Sequence, residues 1–217
     1  MNDLEITWKW EVTAPLHIGN GFSRAGFADR LVRIDKKGHA VIPSDAVKGA
    51  IRGSAEQLAR WLGLQEEEKE ETSYPKLPVL RRIFAPTETS SFYRFPGCVS
   101  EQAVAAYTFT STKIHPTNRS AEDNTLRTIE LLPSGMTFAG KVQLLAGDWS
   151  DVSKPDHKDL CFLLVAISST AGIGGKKGNG LGKLQCKELR VNGVSYSDLL
   201  TKLETIQLLR KLVVEKE

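Results

Sequence analysis

The sequence lacks the features that define several large protein classes. It has only three cysteines, Cys98, Cys161 and Cys186. They are widely spaced and odd in number, which excludes a disulfide framework and a zinc pattern. No apolar run reaches the ~20 residues that a helix needs to cross a bilayer, and the first ten residues are too polar for a secretory signal. We therefore expect a soluble, cytoplasmic protein with no membrane partner and with reduced, mostly buried thiols.

Neither sign of charge dominates the composition. The formal net charge is +3 in 217 residues, with 41% hydrophobic and 25% charged residues, which excludes disorder, collagen and coiled coil as descriptions of the whole chain. The charge is nevertheless uneven. Residues 66–71 hold five glutamates and one lysine and contribute −4, so the rest of the chain carries +7. A basic body with one acidic segment is compatible with a polyanionic partner.

The hydrophobic pattern predicts an α+β fold. Period-two alternation predicts a first strand over Leu4–Thr13, and Pro43-Ser44-Asp45 predicts the start of a helix that runs to about Gly63, capped by Ser44 or Asp45. Further strands are predicted over residues 30–35, 40–42, 99–111, 129–133, 136–145 and 184–191, and helices over 158–170 and 197–215. Residues 74–97 are interpreted as an irregular insertion and 113–128 as a polar excursion in the form of a long hairpin. This order is typical of a ferredoxin-like (RRM-like) antiparallel sheet with helices on one face.

The most informative stretch is Ala171–Lys183, which we call the Gly-rich loop. It carries six glycines between Gly172 and Gly182, and the sequence from Ser168 to Gln185 has lysines but no acidic residue. Exposed amides together with lysines favour binding of phosphates. The spacing does not match the P-loop, so a nucleoside triphosphate site is not expected. The alternative is a flexible surface loop whose lysines serve solubility.

A second candidate lies in the helix within Ile42–Arg52. Lys48 and Arg52 are four residues apart and share one helical face, the helix N-terminus adds positive potential, and Gly49 would let a backbone or a base approach closely. The alternative is an ordinary solvated face.

Four blocks of sequence, in this order, resemble the RAMP superfamily, the repeat-associated RNA-binding subunits of CRISPR systems: PLHIGNG, IPSDAVKGAIR, RTIELLPSG and GIGGKKGNGLGKLQ. The resemblance is greatest to the repeated backbone subunit of type III effector complexes, which act in antiviral defence. It implies one RAMP domain over residues 1–217, with an insertion at 64–98 and a thumb-like hairpin at 111–128. It also implies three kinds of partner: guide RNA (crRNA), complementary target RNA, and other effector subunits, including copies of this chain.

By the same resemblance, Asp29 matches the aspartate with which backbone subunits cut the paired target RNA. A carboxylate there would act with Mg2+ or another divalent ion, and the basic neighbours Arg24, Arg30 and Arg33 would stabilise the charge that develops on phosphorus. The alternative for Asp29 is a residue of a strand-entry turn, and the rival carboxylate Asp35 is interpreted as a plain turn residue.

The remaining implied RNA contacts fall on the two candidate segments and the thumb. They are Lys48, Arg52, Lys113, Asn118, Arg119, Gly174, Gly175, Lys176, Lys177, Gly178 and Lys183. Two other functions stay open. One is a non-catalytic scaffold or capping subunit. The other is a guide-processing endoribonuclease that uses His17, although a packed or backbone-bonded histidine is the favoured interpretation of that residue.

Overall fold

The computed structural model describes residues 4–63, 78–84, 93–144 and 158–196. The acidic segment 66–71, much of the 64–98 insertion and the helix predicted over 197–215 lie outside these ranges. The elements, in chain order, are β1 (Leu4–Val12), β2 (His39–Ile42), α1 (Ser44–Trp61), α2 (Pro78–Phe84), β3 (Tyr93–Arg94), β4 (Cys98–Ala103), β5 (Tyr107–Ser111), β6 (Arg127–Leu131), β7 (Thr137–Leu144), α3 (Lys158–Ser168), β8 (Leu184–Val191) and β9 (Val194–Ser195). Among the helices of this part of the chain, none is both long and apolar enough to span a membrane.

The predicted first strand is β1, which lies between β7 and β8 in the main sheet. Every second side chain of this strand is buried, including both tryptophans. The rings of Trp8 and Trp10 lie 5.2 Å apart, and the Trp10 indole N–H donates to the carbonyl oxygen of Ile167 in α3 at 3.3 Å. These tryptophans are therefore part of the core between sheet and helix, where an aromatic side chain buries a large apolar area.

The topology is ferredoxin-like. The main sheet has the order β2-β4-β7-β1-β8-β9, with β3 added beside β7, and its neighbouring strands are antiparallel. The elements β1-α1-β4-β7-α3-β8 supply the βαββαβ core. The helix α1 packs on α3, and the buried stripe of α1 is made by Val47, Ile51, Ala55, Leu58 and Ala59. The predicted fold class is confirmed.

Four local predictions were wrong, each because a tertiary contact or a local backbone preference outweighed the sequence pattern. The run 99–111 is divided: β4 stays in the main sheet, whereas β5 leaves it and pairs only with β6. Residues 30–35 form isolated bridges to three different partners instead of a strand. The insertion contains α2, whose apolar side chains pack against α1 and α3. The N-cap of α1 is Pro43, whose φ of −60° suits the extended residue before the helix.

Alanine substitution is expected to have opposite effects on stability at Gly53, inside α1, and at Gly63, just after its end. Gly53 lies inside the helix and is exposed, and a Cβ there would meet no atom within 4 Å apart from its chain neighbours and the backbone of its own helix. Gly53→Ala should raise the melting temperature by about 2–4 °C, because alanine is favoured over glycine in a helix by about 1 kcal/mol. Gly63 follows the helix end with φ +69°, so Gly63→Ala should lower the melting temperature by a similar amount. Thermal melts followed by circular dichroism measure both, and equal shifts of one sign would contradict this account of the helix end.

Candidate nucleic-acid interface

A cleft of about 570 Å³ opens where the segment after β1, the loop 21–31, the start of α1 and the Gly-rich loop meet. These segments include parts of three of the four sequence blocks singled out above. Its lining residues are His17, Ile18, Gly19, Gly21, Phe22, Ser23, Asp29, Arg30, Leu31, Pro43, Ala46, Gly174 and Gly175. Of the predicted site residues, Asp29, Gly174 and Gly175 are brought together here.

The segment after β1 forms the floor of the cleft and is held on both sides. Leu16 exchanges backbone hydrogen bonds with Leu132 at 3.0 and 2.8 Å, and on the other side the amide of Gly175 donates to the carbonyl of His17 at 3.0 Å. The imidazole of His17 is buried, and its Nδ1–H donates to the carbonyl of Glu130 at 2.8 Å. The histidine is thus packed and backbone-bonded, which is the interpretation that its sequence context favoured.

The Gly-rich loop is a folded loop with a packed base. Ile173 is buried there, and its amide donates to the carbonyl of Gly182 at 2.9 Å. Gly182 has φ +68°, and a Cβ on it would lie 2.0 Å from the carbonyl oxygen of Ile173. Gly174 has φ +86°, and its Cβ would lie 2.5 Å from the carbonyl oxygen of His17. Only glycine fits such positions, so these residues fix the shape of the loop.

The tip of the same loop is exposed and basic. Lys176 adopts a left-handed conformation (φ 56°) and precedes a short 3-10 turn over Lys177–Asn179. Both lysines and Gly178 are exposed, as is Lys183 at the base of the loop. None of these lysines lines the cleft, and Lys176 and Lys177 follow directly after the lining residue Gly175. The loop therefore brings main chain to the cleft and carries ammonium groups on the residues next to it.

Asp29 lines the cleft, is exposed, and is attached to the start of β6. Its amide donates to the carbonyl of Thr128, and one carboxylate oxygen accepts the amide of Thr128, each at 2.7 Å. Within the described residues the other oxygen has no hydrogen-bond partner. Arg30 lines the cleft beside it, whereas Arg24 and Arg33 do not.

The rival carboxylate, Asp35, serves a turn. Its Oδ1 accepts the amides of Lys37 and His39 at 2.8 and 2.9 Å. These backbone hydrogen bonds, chiefly that from His39, hold the pKa of Asp35 below its usual value. Asp35 is thus the turn residue that the motif DKKG predicted, and it lines no part of the cleft.

The basic residues of α1 do not line the cleft. The part of the cleft wall next to α1 is made by Pro43 and Ala46, at the start of the helix. Lys48 is half-buried, and Arg52 is exposed with its guanidinium 3.3 Å from the carboxylate of Glu56. An exposed i,i+4 pair of this kind contributes about 0.3–0.5 kcal/mol and leaves the arginine available to a stronger anion.

The predicted thumb is the excursion of the β5–β6 hairpin. Lys113 forms an ion pair with Glu122 at 2.9 Å, and the Oδ1 of Asn118 accepts the hydroxyl of Ser120 at 3.0 Å. Arg119 has φ 56° and is exposed. Lys113 and Asn118 are therefore engaged in closing the tip. None of these residues lines the cleft, although the hairpin is anchored next to it through Thr128.

The residues of the cleft fit a divalent ion only in part. No cluster of three histidine, cysteine, aspartate or glutamate residues that could hold a metal occurs in the described ranges. Asp29 alone would suit a magnesium-type ion whose other ligands are water and phosphate oxygens of bound RNA, because Mg2+ is commonly held by one or two carboxylates plus substrate phosphates.

The cleft members missed from sequence include Gly19 and Phe22. The available signal was the turn Gly19-Asn20-Gly21 followed directly by an aromatic residue. Turn glycines show that the chain reverses, but not which cavity it then borders, because the Gly-rich loop that completes the cleft lies about 150 residues away.

Comparisons with known proteins found a family profile and a fold that resemble this chain. A sequence profile described as "RAMP superfamily" matches residues 9–185. A chain in a cryo-EM structure of the Type III-B Cmr-beta complex bound to cognate target RNA matches with a TM-score of 0.58 and 16% identity, over 87% of this chain. This likeness concerns the fold, and the chain spans 60% of the length of that relative. No curated protein sequence matches.

Proposed function

The chain belongs to the RAMP superfamily, and from this premise we propose that it binds guide RNA (crRNA) in a type III CRISPR effector complex and cleaves the complementary target RNA through Asp29. The observation that carries the proposal is the cleft itself. It unites an exposed carboxylate, an arginine and the main chain of a glycine loop, which are groups suited to an RNA backbone and its cleavage.

The binding half of the proposal rests on the Gly-rich loop. Gly174 and Gly175 bring main chain to the cleft wall, and Lys176 and Lys177 are exposed beside them. The Gly175 amide is bonded to His17, so the phosphate contacts fall to the ammonium groups, which contact phosphates without regard to the bases. Sequence specificity would then come from pairing between guide and target, as in other RNA-guided systems. The surface would be extended along the RNA by the remaining predicted contacts, which are Lys48, Arg52, Gly178, Lys183, Lys113, Asn118 and Arg119.

The cleavage half rests on the carboxylate oxygen of Asp29 that has no hydrogen-bond partner within the described residues. Placed against a ribose, the carboxylate would accept the proton of the 2′-hydroxyl as that oxygen attacks the adjacent phosphorus in line. The bond to the 5′-oxygen breaks, the leaving oxygen takes a proton from water, and a 2′,3′-cyclic phosphate and a 5′-hydroxyl result. Arg30 would stabilise the added negative charge. A divalent ion on Asp29, when bound, would supply further charge stabilisation.

The partners follow from the same proposal. Guide RNA and target RNA would occupy the cleft, and other effector subunits, including copies of this chain, would flank it along the guide in the cytoplasm. A second candidate, a non-catalytic scaffold or capping subunit, is favoured by one observation: the Thr128 amide already gives Asp29 a structural partner. The burial and backbone bond of His17 do not favour a processing enzyme based on that residue.

The chain offers two matched lysine pairs for testing the binding surface. Lys176 and Lys177 lie in the Gly-rich loop, whereas Lys36 and Lys37 lie in an exposed turn that lines no part of the cleft. Replacing the first pair with alanine should weaken binding of a labelled single-stranded RNA. It should also make the slope of log K against the logarithm of the salt concentration shallower by about 0.7 for each phosphate that is no longer neutralised. Lys36→Ala with Lys37→Ala removes the same charge and should change both quantities much less.

Fluorescence anisotropy at several salt concentrations measures both quantities. Equal losses from the two pairs would mean that only the overall charge matters, which would contradict a phosphate site at the Gly-rich loop. A loss that depended on RNA sequence would contradict backbone contacts.

A further inference from the structure

Phe22 is the most exposed aromatic side chain bordering the cleft. Its relative exposure is 71%, and it lines the cleft together with Asp29, Arg30, Gly174 and Gly175. A single exposed apolar side chain is normal on a protein surface. The inference therefore depends on where the ring stands and on what holds it there.

The backbone of Phe22 is fixed. Its amide donates to the Oδ1 of Asn20 at 2.8 Å, and its carbonyl accepts the amide of Leu31 at 3.1 Å. Asn20 is itself anchored, because its side-chain amide donates to the carbonyl of Val32 at 3.2 Å. The preceding Gly21 makes the turn, with φ +85°. The backbone that carries the ring is therefore ordered before a ligand binds, so only the side-chain torsions lose freedom when a ligand covers the ring.

The nearby Phe27 provides an internal contrast. It is 47% exposed, and the guanidinium carbon of Arg24 lies 5.4 Å from its ring centroid, so one face is already occupied by a cation. It does not line the cleft. Among the described residues no cation or second ring covers Phe22. Of these two phenylalanines in one short loop, Phe22 is the more exposed and is the one that lines the cleft.

We propose that Phe22 stacks on a nucleobase of RNA bound in the cleft. This inference rests on the proposed RNA-binding function. In that proposal the carboxylate, the arginine and the neighbouring lysines engage ribose and phosphate, and none of these groups offers the bases a surface. Stacking is tolerant of base identity, because every base has a π-face. It therefore suits a subunit whose specificity comes from guide pairing. The ring would hold one nucleotide at the cleft and so set the position of the adjoining phosphate near Asp29.

The test measures binding of the full chain to two fluorescein-labelled RNAs of equal length, an oligoadenylate and an abasic ribose-phosphate strand. Phe22→Ala should weaken oligoadenylate binding by about 5- to 100-fold, and Phe22→Trp should bind as tightly as the wild type. Phe27→Ala, the matched control, should remain within about twofold of the wild type. On the abasic strand Phe22→Ala should bind like the wild type, whereas replacement of Lys176 and Lys177 should weaken binding to both strands.

The outcomes distinguish a failure of this inference from a failure of the proposed RNA-binding function. A Phe22→Ala protein that binds oligoadenylate as well as the wild type would overturn the stacking role and leave RNA binding intact. The same holds if Phe22→Leu, which keeps apolar bulk without a planar face, binds normally. A wild-type chain that binds neither strand would overturn the proposed function itself. Circular dichroism of each variant shows that any loss is not one of folding.

Discussion

Replacing Asp29 with asparagine should lower target-RNA cleavage by the assembled complex roughly 100-fold or more, the scale expected when a general acid–base group is removed. Guide binding should stay within about twofold of the wild type, because the proposed guide contacts lie on other residues. Asparagine keeps an oxygen that can accept the Thr128 amide, but it has no charge with which to take a proton or hold a cation. The substitution thus separates the chemical role of the carboxylate from its structural one.

The matched control is Asp35→Asn. Asp35 is also exposed and lies six residues along the same segment, but it accepts the amides of its own turn outside the cleft. Labelled target complementary to the guide would be incubated with magnesium, and its fragments would be separated on a gel. Asp29→Asn should remove a regular set of cuts, and Asp35→Asn should leave them in place.

Unchanged cuts in the Asp29→Asn complex would contradict the catalytic assignment. Asp29 would then have only the structural role that its bonds to Thr128 give it, and the chain would be a scaffold. A loss of guide binding together with cleavage would also count against the assignment, because the carboxylate would then be acting on assembly.

Gly182→Ala should destabilise the protein by about 3 kcal/mol or more, which corresponds to a fall of at least about 6 °C in melting temperature. A Cβ at this position meets the carbonyl oxygen of Ile173 at 2.0 Å, on a residue with φ +68°. Both the left-handed conformation and the collision with main chain oppose the change. Relief would require breaking backbone bonds that close the Gly-rich loop, among them the one from the Gly182 amide to the carbonyl of Pro15 at 2.8 Å.

The same loop contains its own controls. Gly178 has open space around it and no positive φ, so Gly178→Ala should change stability by only a few tenths of a kcal/mol in either direction. Gly180 has open space but φ +83°, so its alanine variant should cost about 1 kcal/mol. Thermal melts that show this order, with Gly182→Ala largest, would support a packed loop. Three equal and small shifts would indicate a flexible surface loop instead.

The elements that sequence reasoning placed correctly are those determined by local periodicity and burial. β1 and α1 alternate or repeat strongly enough that one buried face defines each of them. β8 was also placed correctly, although its alternation changes phase between Cys186 and Leu189, where its register against β1 shifts. The run 99–111 failed for the opposite reason. Its strand character continues throughout, yet β4 and β5 serve different sheets, and nothing within the run marks where the chain changes partner.

Of the residues that line the candidate site, Asp29, Gly174 and Gly175 were singled out from sequence, but their contacts were not. Asp29 is bonded to Thr128, 99 residues away, a relation that no local pattern reveals. The pairing of Lys113 with Glu122 within the hairpin tip was likewise missed, because charge alone favoured an RNA contact for the lysine. Phe22 appeared only as an aromatic residue after a turn, and its role depends on the cavity that other segments build around it.

The attachment of β6 has a mechanical consequence. This one strand carries the hairpin at one end. Along its length, Thr128 is bonded to Asp29, and Glu130 accepts hydrogen bonds from the imidazole of His17 and from the amide of Val32. Hairpin, floor and carboxylate are therefore tied to a single support. Under the proposed function, RNA that contacts the hairpin would therefore meet Asp29 at a fixed distance from that contact.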